Sequence, residues 1–533
     1  MPKNIVICSD GTGNSAVKGR GTNVFKLFEA VDLNGHRTDP TLDPQIAFYD
    51  DGVGTENLKP LRILGGAIGL GLAKNVRQLY RELARVYDPG DRIFLFGFSR
   101  GAFTVRTLAG LIVKCGILNG SDISRITSAE AFEDAVEETY DAYRAGYDSY
   151  LTKLIGSLLR WPSRAAAVDA LHRKYPFHPP GKIAFIGVWD TVDAVGMPFA
   201  LTSLVNTWIC QFKFPTQDLS ECVEHACHAL SIDDDRKSFT PTLWHEAAGG
   251  EARIEQVWFS GVHSNVGGGY PKQGMSLVAL EWMLQRARAL THLRMQPLDF
   301  ELIKGHATVD DQIYDPRAGA GIFYRWAPRN IADLCGVNNA LPKLHLTVVE
   351  RIAHGTDDYA PGNLPLDAAV VITPSGDAKA DAAAQARADA VAEVLHGVSA
   401  KRANLLGEVA RDIACGEVSY WLFMASWAVL LAGMIGIVVE TPDGPPSIPA
   451  MIKSVLVLLG NIVTFQVGEL YGVGKALVGS RWRVTAVAAA VGFLFAWRLS
   501  VHADTRMSAV FSGFWYQQQT ALRKALKVAH GRS

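Results

Sequence analysis

The chain has 533 residues, of which 48% are hydrophobic and 20% are charged, and its net charge is −1. This composition is typical of a folded protein and excludes a largely disordered chain, while the length predicts more than one domain. The chain lacks the basic excess of nucleic-acid-binding proteins, so we expect no nucleic-acid partner. Seven scattered cysteines without a CxxC pair favour buried thiols in a reducing compartment over a disulfide framework.

The first residues do not have the pattern of a signal peptide. The apolar run Ile5–Cys8 is followed at once by the polar stretch Ser9–Asn14. The hydrophobic region of a signal peptide needs roughly 7–15 apolar residues, and this run is shorter. We therefore expect the N-terminal four-fifths of the chain to begin in the cytoplasm.

Residues 1–372 alternate between short apolar runs and helical patterns. The runs are rich in Val, Ile and Phe and are bounded by turn residues; they lie at 4–8, 92–97, 183–189 and 255–262. Such runs are typical of parallel strands that are buried on both faces. We predict an α/β domain over 1–372 with a mostly parallel sheet, in which 120–180 and 200–250 contribute helical insertions.

The C-terminal part has a different composition. Residues 373–412 include an Ala-rich stretch that predicts a helical connector, with a disordered linker as the alternative. The stretch 418–439 carries no charged residue, and a bilayer core requires about 20 apolar residues, although a buried soluble helix has the same pattern. We assign 413–533 to a membrane-associated helical region, with spans at about 418–439 and 454–475 and a possible third segment at 484–500.

Basic residues near these segments predict their orientation. Arg402 and Arg411 precede the first span, and Arg481 and Arg483 follow the second. Because cytoplasmic loops carry the excess of Lys and Arg, we expect a hairpin with both flanks in the cytoplasm. The basic C-terminal tail argues against a third crossing.

The strongest motif for chemistry is Gly97-Phe98-Ser99-Arg100-Gly101, which follows a buried apolar run and precedes a helical pattern. G-x-S-x-G between a strand and a helix is the nucleophile elbow of α/β-hydrolases, where the glycines relieve crowding in a strained turn. The following helix directs N–H groups at the reacting centre. We predict that Ser99 is a nucleophile; an exposed serine in a structural turn is the alternative.

A serine nucleophile needs a base and an acid, which in this class follow in the order Ser, Asp or Glu, His. Asp190 ends the run 183–189, and His263 stands just beyond the run 254–260. The carboxyl ends of parallel strands share one edge of a sheet. We predict Asp190 as the acid, with Asp193 as the alternative, and His263 as the base. His225, His228 and His245 compete less well because they fall in helix-like or loop sequence.

An oxyanion requires two backbone donors. One is the N–H of the residue after the nucleophile, Arg100. The turn after the first strand offers a second from Gly11 or Thr12, while Asp10 is an alternative anchor that holds this loop by accepting hydrogen bonds. A phosphate-binding role for this turn is disfavoured because no Walker lysine follows.

Three weaker patterns point to no further site. The group Cys222, His225, Cys227 and His228 lies in helix-like sequence without a usual metal-ligand spacing, so we predict no metal site. Asp233–Asp235 is interpreted as a solvated turn in preference to a calcium loop. The glycine-rich stretch 65–71 is interpreted as an apolar wall or lid, or as ordinary packing.

The four motifs Ser9–Asn14, Gly97–Ala102, Trp189–Val192 and Val262–Tyr270 together resemble the phospholipase effector family of bacterial type VI secretion. The resemblance covers roughly residues 1–370. It implies an α/β-hydrolase domain whose Ser-Asp-His triad matches Ser99, Asp190 and His263, and it implies lipid ester substrates. The chain has Asn265 where the family often has Asp after the His-Ser pair.

We therefore expect a serine esterase or phospholipase without a cofactor, acting on membrane lipid. Its predicted location is a multi-pass position in the bacterial inner membrane, with the catalytic domain in the cytoplasm. One alternative is a membrane-anchored binding or assembly protein that keeps the fold without the activity. A second is a thioesterase or amidase on the same triad. The sequence indicates no particular protein partner.

Overall fold

The structure, a computed structural model, describes most of the chain. The described residues are 2–11, 21–52, 66–122, 126, 128–145, 164–179, 181–192, 217–247, 252–439, 457, 472, 475–477, 479 and 482–527. Of the residues singled out above, Thr12–Asn14, Asp193, Arg481 and most of 454–475 lie outside this set.

A parallel sheet of eight strands forms the centre of the N-terminal part. Its strands are β1 (Asn4–Ser9), β2 (Gln45–Asp50), β3 (Arg92–Phe98), β6 (Ile183–Trp189), β7 (Ala226–Ser231), β8 (Ile254–Phe259), β9 (Lys343–His345) and β10 (Ala369–Val371). They are ordered β10-β9-β8-β7-β6-β3-β1-β2, and every pair is parallel. A separate antiparallel pair joins β4 (Ile117–Leu118) and β5 (Phe177–His178). The predicted α/β-hydrolase-like fold class is confirmed.

Helices cover both faces of this sheet. The bounds are α1 Asn23–Ala30, α2 Gly35–Thr38, α3 Gly66–Val86, α4 Arg100–Cys115, α5 Ala129–Arg144, α6 Arg164–Lys174, α7 His263–Gly267, α8 Gly274–Thr291 and α9 Pro297–His306. Alternate side chains of a strand enter opposite layers, as strand geometry requires. Ile5 and Ile7 join the core with α3, α4 and α5, whereas Val6 and Cys8 join the core with α1, α8 and α9.

A third core lies beyond β8 and contains the C-terminal helices. These are α10 (Ile331–Val337), α11 (Leu346–His354), α12 (Ala378–Gly397), α13 (Ser399–Val439) and α14 (Arg483–Lys527). Side chains of α12, the start of α13 and the end of α14 pack on β9, β10 and α11. Trp515 of α14 is buried, and its indole N–H donates to the carbonyl of Pro361.

Helices α13 and α14 pack against each other in antiparallel orientation, and we call them the helix pair. Asp412 faces Arg506 near one end, Ser426 faces Gly492 in the middle and Gly433 faces Thr485 near the other end. Within the described residues, these two helices are long and apolar enough to cross a membrane, and their apolar windows are mostly unburied. We call the part formed by 418–437 and 483–501 the distal half; it exposes Val418, Trp421, Val429, Val484, Val487, Val491, Leu494, Phe495, Trp497 and Val501.

The structure corrects the interpretation of 222–228 as helix-like sequence. Ala226–Ser231 is a fully buried central strand between β6 and β8. Its sequence ACHALS has no β-branched residue, so propensity gave no strand signal and tertiary packing decided the outcome. Helix α13 runs without a break through 412–413, and helix α3 begins within the glycine-rich stretch 65–71. The domain boundaries at 372 and 412 therefore stay predictions.

Candidate active site

Ser99 lies between β3 and α4 in a strained backbone conformation. Its φ of 58° and ψ of −120° are unusual for a residue with a side chain. A Cβ on Gly97 would lie 2.5 Å from the Gly101 carbonyl oxygen, and a Cβ on Gly101 would lie 2.1 Å from the Ser9 carbonyl oxygen. Both glycines are thus required by close backbone approach, as in a nucleophile elbow.

Asp190 follows the neighbouring strand β6 at the same edge of the sheet. Phe98 and Trp189 are register partners, and the Ser99 N–H donates to the Trp189 carbonyl at 3.0 Å. Asp190 also has a positive φ, of 41°, and is fully buried. The topology therefore brings Ser99 and Asp190 together, as the strand-end argument predicts.

His263 begins α7, just beyond β8, and reaches Asp190 across the sheet edge. Its Nδ1 is 2.6 Å from Asp190 Oδ2. The imidazole packs between the rings of Phe98 and Phe239, with centroid distances of 4.6 and 5.0 Å. Burial lowers the pKa of His263, an effect that the Asp190 carboxylate opposes. The ring is therefore biased towards the neutral form that a general base requires.

Ser99 lies at the same edge of the sheet as this pair. Phe98, the residue before it, contacts the imidazole, and Ser99 is 6% exposed. No hydrogen bond joins the Ser99 hydroxyl to His263 among the residues that the structure describes. Catalytic hydrogen bonds of this kind are often long without substrate.

Asp190 is held by groups that the sequence did not reveal. Ser231 donates its backbone N–H to Asp190 Oδ1 at 3.0 Å and its hydroxyl to Oδ2 at 3.2 Å. Arg329 donates to both carboxylate oxygens, at 2.7 and 2.8 Å. Burial would raise the pKa of Asp190, but the Arg329 charge and the hydrogen bonds from Arg329 and His263 lower it well below its usual range. Asp190 therefore stays ionised although it is buried.

The segment 233–235 is not the solvated turn that the sequence suggested. Asp234 is fully buried. Its Oδ2 accepts a hydrogen bond from the backbone N–H of His263 at 3.2 Å and forms an ion pair with the Arg236 guanidinium at 2.6 Å. Asp233 accepts the Gly261 N–H at 2.6 Å and the Tyr359 hydroxyl at 2.9 Å. Both carboxylates therefore fix the turn that carries His263. The reason is tertiary, since β7 and β8 place the two turns side by side.

The two candidate oxyanion donors, the backbone N–H groups of Gly11 and Arg100, differ in whether they already donate a hydrogen bond. Gly11 follows β1, whose register partner is β3, so the predicted loop lies next to Ser99. However, the Gly11 N–H donates to the Asp10 carboxylate at 2.6 Å. Asp10 also accepts the hydroxyls of Thr22 and Tyr49, both at 2.6 Å, and so anchors the loop. Arg100 is the first residue of α4, where backbone N–H groups have no partner inside the helix.

A second histidine near Asp190, His228, takes part in a backbone hydrogen bond. The Thr191 N–H donates to His228 Nε2 at 3.1 Å, and burial lowers the pKa of His228 to about 3. Within the described residues, no group of three or more His, Cys, Asp or Glu side chains is arranged to hold a metal ion.

Comparisons with known proteins place the N-terminal part of the chain in a family. A family model described as type VI secretion system (T6SS) phospholipase effector Tle1-like, catalytic domain, matches residues 3–286. An uncharacterized protein of Saccharomyces cerevisiae, YEL023C, is 28% identical over 251 residues, which cover 44% of this chain and 32% of the yeast protein. The match thus spans about a third of that relative's length.

Two solved structures are also similar. One is the Tle1 effector bound to the VgrG spike of the type 6 secretion system, with 16% identity and a TM-score of 0.28, covering 50% of this chain and 51% of that chain. The other is an uncharacterized protein from Pseudomonas aeruginosa, with 18% identity and a TM-score of 0.29, covering 75% and 59%. Because the family match at 3–286 covers more than half of the 533 residues, this chain belongs to the Tle1-like phospholipase effector family through its catalytic domain.

Proposed function

We propose that this protein is a serine hydrolase that cleaves carboxylic esters of membrane lipids. The observation that carries the proposal is the 2.6 Å contact between His263 Nδ1 and Asp190 Oδ2, beside a strained serine on the adjacent strand. A nucleophile, a base and a buried acid at neighbouring strand ends make up the machinery for acyl transfer. Membership of a phospholipase family supports a lipid ester as substrate.

The first step is attack of Ser99 Oγ on the ester carbonyl. The Nδ1–H of His263 donates a hydrogen bond to the ionised Asp190 carboxylate and keeps its proton, which leaves Nε2 free to take the proton from the serine hydroxyl. The same proton then passes to the leaving alcohol as the acyl-enzyme forms. Water, deprotonated by His263, releases the carboxylic acid.

Asp190 orients the imidazole and stabilises the imidazolium that forms during each step. It stays ionised because Arg329 and Ser231 supply hydrogen-bond donors to the fully buried carboxylate. A buried carboxylate with fewer donors would tend to take up a proton and lose this role.

The oxyanion is stabilised in this proposal by the N–H of Arg100 and the N–H of Gly11. The first lies at the N-terminus of α4, where the helix dipole also favours negative charge. The second becomes available when the Asp10 carboxylate turns away from it. Substrate binding would thus exchange an intramolecular acceptor for the oxyanion.

The distal half of the helix pair supports a membrane location. We propose that 418–437 and 483–501 cross the bilayer, since both present apolar side chains to their surroundings. Their antiparallel packing returns the chain to the catalytic domain, so both ends of the pair lie on one side of the membrane. In this topology 484–500 is the returning span, in place of the predicted 454–475, most of which lies outside the described residues. The catalytic domain stays at the cytoplasmic face of a bacterial inner membrane.

The test is hydrolysis by the full chain of p-nitrophenyl butyrate and of phosphatidylglycerol vesicles. Ser99→Ala should lower both rates by about 10³-fold or more while the melting temperature is kept. Ser121→Ala, which changes an exposed turn serine, is the matched control and should keep the wild-type rate. Full activity of Ser99→Ala would refute the proposal.

A further inference from the structure

Arg329 binds the acid of the site from a part of the chain outside the matched family region. Its guanidinium makes four hydrogen bonds: two to Asp190, one to the Ser231 carbonyl at 2.5 Å and one to the Phe239 carbonyl at 2.7 Å. The side chain is 1% exposed. A planar guanidinium that binds both oxygens of a carboxylate fixes the rotation of that carboxylate as well as its charge.

The segment that carries Arg329, Gly319–Asn330, is called the strap here. It pairs with the turn after β7 through backbone hydrogen bonds, from Lys237 N–H to the Arg325 carbonyl at 2.8 Å and from Ala327 N–H to the Asp235 carbonyl at 2.7 Å. Asn363 donates to the Arg329 carbonyl at 3.2 Å. The strap is therefore held against the turn after β7, where Arg329 reaches Asp190.

The other side of the strap contacts the helix pair where α13 leaves the third core. Tyr420 donates its hydroxyl to the Phe323 carbonyl at 3.2 Å, and Arg325 pairs with Glu417 at 3.1 Å. The Phe323 ring contacts Phe423 and Trp427, with centroid distances of 5.8 and 5.5 Å. The strap is thus packed against the first half of 418–437, in the distal half of the helix pair.

We propose that Arg329 is a positioning residue for the Asp190–His263 pair, held in place by the contact between the strap and α13. This inference rests on the proposed function, because it assigns a role within the same site. Arg329 touches no reacting atom; it acts through Asp190. A role confined to folding would require only that the buried carboxylate be neutralised.

A positioning role and a role confined to folding differ in how the loss of Arg329 affects the protonation of the His263 imidazole. The cation beside Asp190 opposes protonation of His263, so its loss should favour the imidazolium. The groups facing the pair come from three elements, β7, the turn after it and the strap; they are His228, Asp233, Asp234, Arg236 and Arg329. Of the cations in this set, Arg329 alone hydrogen-bonds to Asp190 among the described residues.

The experiment compares Arg329→Met and Arg329→Lys in the full chain, with p-nitrophenyl butyrate as substrate and rates normalised to fluorophosphonate-reactive sites. Arg329→Met should lower kcat at least tenfold and move the acidic limb of the pH profile about one unit to higher pH. Arg329→Lys keeps the charge but loses the two-oxygen contact, so kcat should fall about fivefold or more with the limb unmoved. Arg402→Met, another buried arginine that binds backbone carbonyls away from the site, should keep the wild-type profile per active site.

The outcomes separate this inference from the proposed function. If folded Arg329→Met keeps the wild-type kcat and the acidic limb of its pH profile does not move, the positioning role of Arg329 is overturned. If Arg329→Met does not fold, a wild-type kcat in Arg329→Lys overturns the positioning role instead. Ser99→Ala, measured in parallel, must be inactive for either result to bear on Arg329. An active Ser99→Ala would reject the proposed function itself.

Discussion

The region matched by the family model, which ends at residue 286, and the region after it supply different groups around the Asp190 carboxylate. The first part is a layered parallel sheet whose strand ends supply Ser99, Asp190 and His263. The second part adds two short strands at one end of the sheet and long helices, and it contributes Arg329. The groups proposed to react thus come from strand ends, while a group that sets their charge comes from the helical part.

This difference shows how the sheet that carries the candidate site is combined with a pair of long apolar helices. The sheet needs only short turns at one edge to bring its three side chains together. The helix pair exposes apolar surface in its distal half and packs into the third core in its proximal half. The strap touches both parts, so the candidate site and the helix pair are connected through the segment that carries Arg329.

The largest expected effect is on kcat, from a substitution at the end of a sheet strand, Asp190→Asn. Asp190→Asn keeps the shape of the acid but removes its charge, so the His263 tautomer and the imidazolium are no longer supported. We expect kcat to fall by about 10³ to 10⁴-fold. Steady-state hydrolysis of p-nitrophenyl butyrate measures this. Asp193→Asn is the matched control, and a loss confined to that variant would instead make Asp193 the acid.

A smaller effect is expected on the helical side. Leu494→Asp places a charge in the exposed apolar face of α14, at a cost of about 3 kcal/mol in a bilayer, or roughly 100-fold in partition. Vesicle flotation should show this loss, while hydrolysis of the soluble ester stays unchanged. Leu298→Asp, on an exposed leucine of α9, should leave flotation as in the wild type. Equal flotation of both variants would separate the helix pair from membrane binding.

The smallest expected effect is a shift in pH dependence. The proposed base acts as neutral imidazole, and burial lowers the pKa of His263 below its ordinary value of 6.5. Activity should therefore persist as the pH falls through 6.5 and be lost at lower pH, when the ring takes up a proton. The profile of kcat/KM between pH 4 and 9 measures this. An acidic midpoint above 6.5 would show that the Asp190 charge outweighs burial.

Ser99, Asp190 and His263 were predictable as neighbours because each directly follows a buried apolar run. Parallel strands end at one edge, so sequence position alone brings such residues together. Arg329 was not predictable, since it lies 139 residues from Asp190 and no local pattern links them. The hydrogen bonds of Asp233 and Asp234 depend on the neighbouring turn after β8, which the sequence pattern does not encode.

Local sequence also misled at β7, and it left two roles open at the turn after β1. The strand β7 lacks β-branched residues, and its neighbours on both sides decide its conformation. The glycine-rich turn after β1 was correctly placed beside the elbow, but the rotation of the Asp10 side chain onto the Gly11 N–H is a matter of side-chain packing. Topology was therefore more predictable than hydrogen bonding.

The most direct test of the central claim is to locate a fluorophosphonate adduct by peptide mass mapping of the intact full chain. We expect one adduct, on the peptide that contains Ser99, and we expect His263→Ala to lose it because the hydroxyl then has no base. An unlabelled wild-type protein, or an adduct on another serine, would contradict the account.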